Sequence, residues 1–208
     1  MELDHVILGA ANLEETGRRL EKEGLASVVG GRHADWGTAN RIVPLGSSYL
    51  EIVGVVDQQL AAGTSYGNHV QEQTKHGDRL IGWCLRVDDL DETASRLGLE
   101  MTPGARTLPD GGRVAWRTVG VERALGSGYL PFFISWDVPA NHHPGRMPSV
   151  HPVEVIGELS VEVRGNAVEL EDWLGRSIPP WIEVREGAPA VIAVRIPTVS
   201  GDALVRSV

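Results

Sequence analysis

The chain has 208 residues, 42% hydrophobic and 23% charged, enough apolar material for a globular core and too much for a disordered chain. Its 28 acidic residues outnumber 19 basic ones, and the net charge of −9 excludes a general phosphate-backbone binder and a basic membrane-surface patch. A single cysteine, Cys84, excludes an internal disulfide or a multi-cysteine zinc site, and no apolar run approaches the roughly 18 residues of a membrane span.

The opening Met1-Glu2-Leu3-Asp4-His5 has neither the basic region nor the apolar stretch of a signal peptide, so a cytoplasmic protein is expected. A short apolar strand runs to Leu8 and gives way at once to a helix start. Asn12 is the candidate cap, Glu15 stands three residues later in capping-box spacing, and positions 13, 16, 17 and 20 share one helical face. Next come a Gly30-Gly31 turn, a strand over 39–45, a Gly-Ser-Ser turn and a strand over 49–55. Residues 57–79 form a polar connector with a helix near 68–75.

From residue 80 the pattern repeats. A shift of 77 positions lays Leu8 on Leu85, Leu13 on Leu90, Thr16 on Thr93 and Leu20 on Leu97. Asp89 is the second cap and Glu92 its partner. The turn Pro109-Asp110-Gly111-Gly112, a strand over 113–119, a Gly-rich loop and a strand over 129–136 follow. Each copy is a β-α-β-β-β module. Four prolines, Pro139, Pro144, Pro148 and Pro152, forbid a regular element in the next segment, because each fixes φ and removes a donor. A third, shortened β-α-β-β unit has strands over 159–163, 181–184 and 189–196, with Asn166 as cap and Ala167, Leu170 and Leu174 as its buried stripe. The expected organisation is module 1 over 1–56, a connector over 57–79, module 2 over 80–137, a Pro-rich linker over 138–153 and the third unit over 154–208.

A tandem of such modules opening on Asp4-His5-Val6 resembles the vicinal oxygen chelate superfamily, which includes glyoxalase I, bleomycin-resistance proteins and extradiol ring-cleaving dioxygenases. Within it the chain is most similar to the glyoxalase-like domain proteins. The residues that carry the resemblance are Leu3-Asp4-His5-Val6-Ile7, Gly30-Gly31-Arg32-His33, Gly37-Thr38-Ala39-Asn40, Leu45-Gly46 and Tyr49-Leu50-Glu51-Ile52 in the first half. In the second half they are Trp116-Arg117, Leu130-Pro131-Phe132-Phe133-Ile134 and His143-Pro144. The resemblance implies an α+β fold: tandem βαβββ modules form a U-shaped mixed sheet with helices outside, and the concave face holds a pocket. In metal-dependent members that pocket holds one divalent ion (Zn, Ni, Mn or Fe), with ligands from the first and last strands of each module.

Carried onto this sequence, the ligands are His5 and Glu51. Strand alternation puts Leu3, His5 and Ile7 on one side, and Tyr49, Glu51 and Val53 on one side. Module 2 departs from the pattern: Gly82 stands at the His5 position, and Pro131 or Phe133 at the Glu51 position, so half the ligand set is missing. His33 or His143 could supply a third ligand. Without a metal, His5 and Glu51 are either a mutually satisfied buried pair or an acid–base pair, in which the carboxylate holds the imidazole tautomer and the second nitrogen moves a proton.

Asn40, Trp116, Arg117, Trp136 and His143 are the candidate substrate-binding residues. Asn offers donor and acceptor, Arg a planar fork, and Trp a flat apolar wall. The plainer readings are packing for Trp116, a surface ion pair for Arg117 and an ordinary loop for His143. Trp83 should face away from His5, Trp36 should lie near the pocket, and Cys84 reads as a small buried hydrophobe. No phosphate-binding Gly loop, Gly-x-Ser-x-Gly elbow or His-Glu-x-x-His motif is present. The leading expectation is a glyoxalase-like small-molecule enzyme of isomerase or lyase type, with His5 and Glu51 catalytic. The alternative is a non-catalytic protein that sequesters a small apolar or aromatic compound, as bleomycin-resistance proteins do. The partner is a small molecule, not nucleic acid or membrane. Two modules in one chain permit a monomer, and the resemblance also allows a homodimer.

Overall fold

The computed structural model describes residues 1–108 and 110–207; Pro109, which opens the second expected turn, and Val208, which ends the third unit, lie outside the described residues. Module 1 comprises β1 (Glu2–Gly9), α1 (Leu13–Lys22), β2 (Val28–His33), β3 (Thr38–Pro44) and β4 (Tyr49–Val55). Two connector helices follow, α2 (Gln58–Ala62) and α3 (Ser65–Gln73). Module 2 comprises β5 (Arg79–Arg86), α4 (Leu90–Leu97), β6 (Met101–Thr107), β7 (Arg113–Val119), α5 (Val121–Ser127) and β8 (Phe132–Trp136). The caps do what the sequence asked of them. Asn12 accepts from the backbone N–H groups of Glu14 and Glu15, and Asp89 from that of Glu92.

Each module has the same strand plan. β1 runs parallel to β4, which pairs antiparallel with β3 and then β2; β5 runs parallel to β8, which pairs antiparallel with β7 and then β6. Antiparallel pairing of β1 with β5 joins the two halves. The expected U closes further into an eight-stranded barrel through one bridging pair, Arg32 on β2 with Thr107 on β6. Gly31 permits that closure: a Cβ there would collide with the Thr107 carbonyl oxygen. Gly30 and Gly31 therefore belong to a strand, not to the turn expected there. The loop expected before β8 holds α5 instead, its ends set by the positive-φ glycines Gly120 and Gly128.

The third unit comprises β9 (Ser160–Arg164), α6 (Ala167–Leu174), β10 (Ile182–Arg185), β11 (Ala190–Ile196) and β12 (Ala203–Arg206), one strand more than the sequence suggested. Its strand order is β10-β9-β11-β12. The first strand is thus central, whereas β1 and β5 meet at a module boundary. The Pro-rich segment contains only two short 3-10 turns, Ala140–His142 and Pro144–Arg146.

Two apolar clusters follow from this layering. The larger lies outside the barrel wall and includes Val6, Leu20, Leu50, Trp83 and Leu90 together with Val161, Leu170, Val194 and Ile196 of the third unit. One continuous core therefore joins the barrel, its helices and the third sheet. The smaller lies inside the barrel and includes Ile7, Val53, Cys84, Trp116, Phe132 and Ile134.

A candidate active site inside the barrel

The barrel interior holds a cavity of about 610 Å³, within the usual range for small-molecule sites. Its deep end is buried: His5, His33, Asn40, Tyr49, Glu51 and Arg106 are all below a tenth exposed. The exposed lining residues Asp35, Glu100, Glu122 and Arg123 mark the side that meets solvent. Trp36, Tyr66, Trp116 and Trp136 form an aromatic wall. Trp36 lies 5.0 Å from Tyr66, and Trp116 lies 6.3 Å from Trp36 and 5.5 Å from Trp136, between ring centroids. Gly104 makes room for Trp116, because a Cβ there would overlap the indole.

His5 reaches the cavity from a strand that does not alternate strictly. The β1–β5 register shifts between Leu3 and His5. This bulge sends Leu3 to the outer cluster with Val6 and Leu8, instead of inside with His5 and Ile7 as alternation required. It also brings Asp4 and His5 together, with His5 Nδ1 2.7 Å from Asp4 Oδ1. Asp4 is fully buried and collects three more donors: Trp136 Nε1 at 2.9 Å, His143 Nε2 at 3.0 Å and Arg86 Nη1 at 3.3 Å. Burial by itself would raise the Asp4 pKa, but the hydrogen bonds and charges of His143 and His5 overcome it and hold the carboxyl well below the usual range. An ionised Asp4 places the proton of a neutral His5 on Nδ1 and leaves Nε2 as a lone pair. The ring is held in place by stacking on Tyr49 at 4.7 Å and by the edge of Phe132 at 5.5 Å. His143 has the opposite tautomer. Its Nδ1 accepts from the Gly145 backbone N–H, so Nε2–H donates to Asp4.

Glu51 enters from β4. Its Oε1 accepts from Asn40 Nδ2 at 2.6 Å, and its Oε2 has no hydrogen-bond partner among the described residues. His5 Nε2 stands 3.9 Å from Oε2, and His33 Nε2 3.9 Å from Oε1. Both are too long for hydrogen bonds, so His5 and Glu51 are not a mutually satisfied pair. The group that holds the His5 tautomer is Asp4, which leaves Glu51 free to face the cavity. His33 Nδ1 lies 2.9 Å from the Thr38 hydroxyl. Burial lowers its pKa to about 4, against the pull of Glu51 and with the help of Arg106, so the ring is neutral.

Of the other sequence candidates, Asn40, Trp116 and Trp136 line the cavity. Arg117 does not. As the strand neighbour of the inward Trp116 it points out, where it pairs with Asp137 at 3.3 Å. His143 is buried behind the His5 end of the barrel, against Asp4, Tyr49 and Trp136, and does not line the cavity. In module 2, Cys84 pairs with Phe132 as Ile7 pairs with Glu51, so Phe132 occupies the Glu51 position, one residue from either expected candidate. Asp4 and Arg106 escaped the sequence reading. Asp4 was hidden by the bulge, and Arg106 stands in a strand whose pairing no local pattern announces.

Two groups could be asked to hold a divalent ion. Asp4, His5 and Cys84 place one ligand atom each within 4.8 Å of one another. They do not fit one: Asp4 is saturated by four donors, His5 Nδ1 among them, and burial pushes the Cys84 thiol pKa well up. His5, His33 and Glu51 do not fit one either: His5 Nε2 stands 3.9 Å from Oε2 and His33 Nε2 3.9 Å from Oε1, so the two rings address different oxygens of the carboxylate, and the three residues do not bring one ligand atom each within 4.8 Å of one another.

A comparison with curated proteins gives no match. Among solved structures, the chain is similar to a hypothetical protein from Staphylococcus aureus, with a TM-score of 0.69, 16% identity, and 93% of this chain and 89% of that one covered. It is also similar to methylmalonyl-CoA epimerase from Mycobacterium tuberculosis, with a TM-score of 0.47, 16% identity, and 66% of this chain and 89% of that one covered. The model of the glyoxalase-like domain matches residues 3–176. That span covers both modules, the Pro-rich segment and the start of the third unit, and the chain belongs to the glyoxalase-like domain family.

Proposed function

We propose that the barrel cavity is the active site of a small-molecule enzyme of isomerase or lyase type, which moves a proton beside a carbonyl group. The observation that carries this is the unbridged gap between Glu51 Oε2 and His5 Nε2 at the buried end of an open cavity. Each side chain is pinned by its other polar atom, Glu51 by Asn40 and His5 by Asp4. Pinned acceptors facing a substrate-sized space are pre-organised for proton transfer and cost no reorientation when the substrate arrives.

In this reading Glu51 Oε2 takes a proton from the carbon beside the carbonyl, and the electron pair of the broken C–H bond moves into an enolate. Returning that proton to a neighbouring atom completes an isomerisation. If the enolate instead expels a group on the next carbon, the result is elimination and Glu51 keeps the proton until solvent removes it. His5 Nε2 faces Glu51 Oε2 and His33 Nε2 faces Oε1, so the two rings flank the carboxylate at its two oxygens. The aromatic wall excludes water from the enolate.

The test is hydrogen–deuterium exchange at the carbon beside the carbonyl, followed by NMR for a panel of enolisable aldehydes, ketones and 2-oxo acids. The wild-type protein should catalyse exchange of at least one member. Glu51→Gln should lower the rate by about 10²–10⁴-fold, the size of a general-base contribution. An exchange rate unchanged in Glu51→Gln, or binding of panel members without exchange, overturns the reading.

A further inference from the structure

Arg106 is an anomaly in the cavity wall. It is 4% exposed, yet no carboxylate lies within ion-pairing distance of it among the described residues. Of its five N–H donors, the Nε one is buried without a partner. Nη1 makes a long 3.4 Å contact to Asn40 Oδ1, and Nη2 meets only the Met147 sulfur at 3.9 Å. Burying a guanidinium in this state is costly, and structural buried arginines are normally matched by a carboxylate. The surrounding residues keep space for it: a Cβ on Gly30 would come within 3.0 Å of Nη1 and would also strike the Asn40 carboxamide.

We infer that Arg106 is the anchor for the carboxylate of a bound ligand, and that the cavity selects a monocarboxylic acid with an aromatic or bulky apolar body. The inference names the substrate class of the proposed active site and rests on that reading for its link to turnover, but not for binding. The planar guanidinium fork matches a carboxylate in two parallel hydrogen bonds. Asn40 sits between Arg106 and Glu51, donating to one and accepting from the other, so an acid held at Arg106 lies one side chain away from Glu51 Oε2. The body of such a ligand meets Trp36, Trp116, Trp136 and Phe132. The rest of the cavity sets the charge limit. Asp35, Glu51, Glu100 and Glu122 also line it, and its other cation, Arg123, is engaged with Glu169 at 3.3 Å. One buried cation among four carboxylates suits a single negative charge, not a phosphate dianion.

The test is calorimetric binding of 3-phenylpropanoate, its neutral analogue 3-phenylpropanamide and inorganic phosphate to the full chain. The acid should bind at least about tenfold more tightly than the amide. Phosphate at equal concentration should not displace it. Arg106→Met should remove the preference, and Arg106→Lys should keep part of it, since lysine retains the charge but not the fork. Should Arg106→Met fail to fold, the wild-type acid-to-amide ratio and Arg106→Lys decide the matter. Equal binding of acid and amide, no binding of the acid at millimolar concentration, displacement by phosphate, or an undiminished preference in Arg106→Met overturns the inference. Because binding is read without turnover, a clear acid preference alongside absent proton exchange leaves Arg106 assigned and removes the proton-transfer reading; exchange without acid preference does the reverse.

Discussion

Asp4 and His5 are sequence neighbours on a strand, yet their side chains meet at 2.7 Å. In a regular strand they would point to opposite faces; the bulge in β1 turns both to the same end of the barrel. From there the Asp4 carboxylate reaches β1 through His5, β5 through Arg86, β8 through Trp136 and the Pro-rich segment through His143. One buried charge thus fastens both modules and their trailing segment together and orients the imidazole that faces the cavity.

Asp4→Asn should therefore be strongly destabilising, on the order of 3 kcal/mol, because an amide cannot accept from four donors and the negative charge that those donors share is gone. The folded-state pKa of Asp4 lies below its ordinary 3.8, so its contribution is fully present above that value and is lost as pH falls further. Urea unfolding at neutral pH should show the loss, and the acid limb of the stability profile should flatten in Asp4→Asn. His143→Ala should loosen the Pro-rich segment first, seen as faster proteolysis near residue 143 with the barrel intact.

His33 makes a separate prediction with its own pH window. Burial holds its folded pKa near 4, against an ordinary 6.5. Between those values the unfolded chain binds a proton that the folded chain refuses, so stability falls as pH drops through the window. From pH 7 to pH 5 the wild type should lose about 2 kcal/mol through this group. In His33→Gln that component should disappear. An identical decline in wild type and variant would show that His33 takes up its proton without unfolding.

The repeat made the fold readable. Caps at Asn12 and Asp89, recurring at a shift of 77, fixed two helices, and β4 and β7 fell where the apolar runs ended. The weak elements were those whose stability comes from distant partners. β2 carries a glycine pair that imitates a turn, and β6 carries Pro103 and Gly104, which suppress a strand signal. Their pairing is a tertiary effect that local propensity does not contain. The site divides the same way. His5 and Glu51 could be placed by alternation and resemblance, whereas Trp116 and Arg117, neighbours on one strand, were both offered by the resemblance of their segment. Arg117 was misplaced because either face of β7 was open from sequence alone. Arg106 became visible only through an unpaired donor, which no sequence displays.

Gly30 offers a test of the Arg106–Asn40–Glu51 chain that touches no functional atom. Its backbone is not in the left-handed region, so an alanine there meets no backbone penalty and acts only through its methyl group. That methyl would displace the Asn40 carboxamide, which is hydrogen bonded to Glu51 at 2.6 Å. Gly30→Ala should cost about 1–3 kcal/mol, the usual range for overpacking. It should also lower turnover more than it lowers stability, because Glu51 loses its positioning donor. A variant as active as wild type would place Asn40 outside the working site.

Trp173 tests whether the third unit is energetically part of the barrel. Its indole N–H donates to the Pro131 carbonyl at 2.7 Å, and its ring lies 5.9 Å from Phe133, so α6 is docked directly beside β8, the strand that carries Phe132 and Trp136 into the cavity. Gly120 supplies the space: a Cβ there would come within 2.8 Å of the indole. On the other flank, Arg96 of α4 donates to the backbone carbonyls of Asp172 and Trp173. Trp173→Ala should cost about 3–5 kcal/mol through lost packing and an orphaned carbonyl. The apolar cluster is continuous across the two sheets, so unfolding should remain a single transition, shifted to lower denaturant as a whole. If Trp173→Ala instead splits the transition, with the third unit melting first and the cavity still binding ligand, then the outer core divides at α6, and the barrel stands without the sheet packed against it.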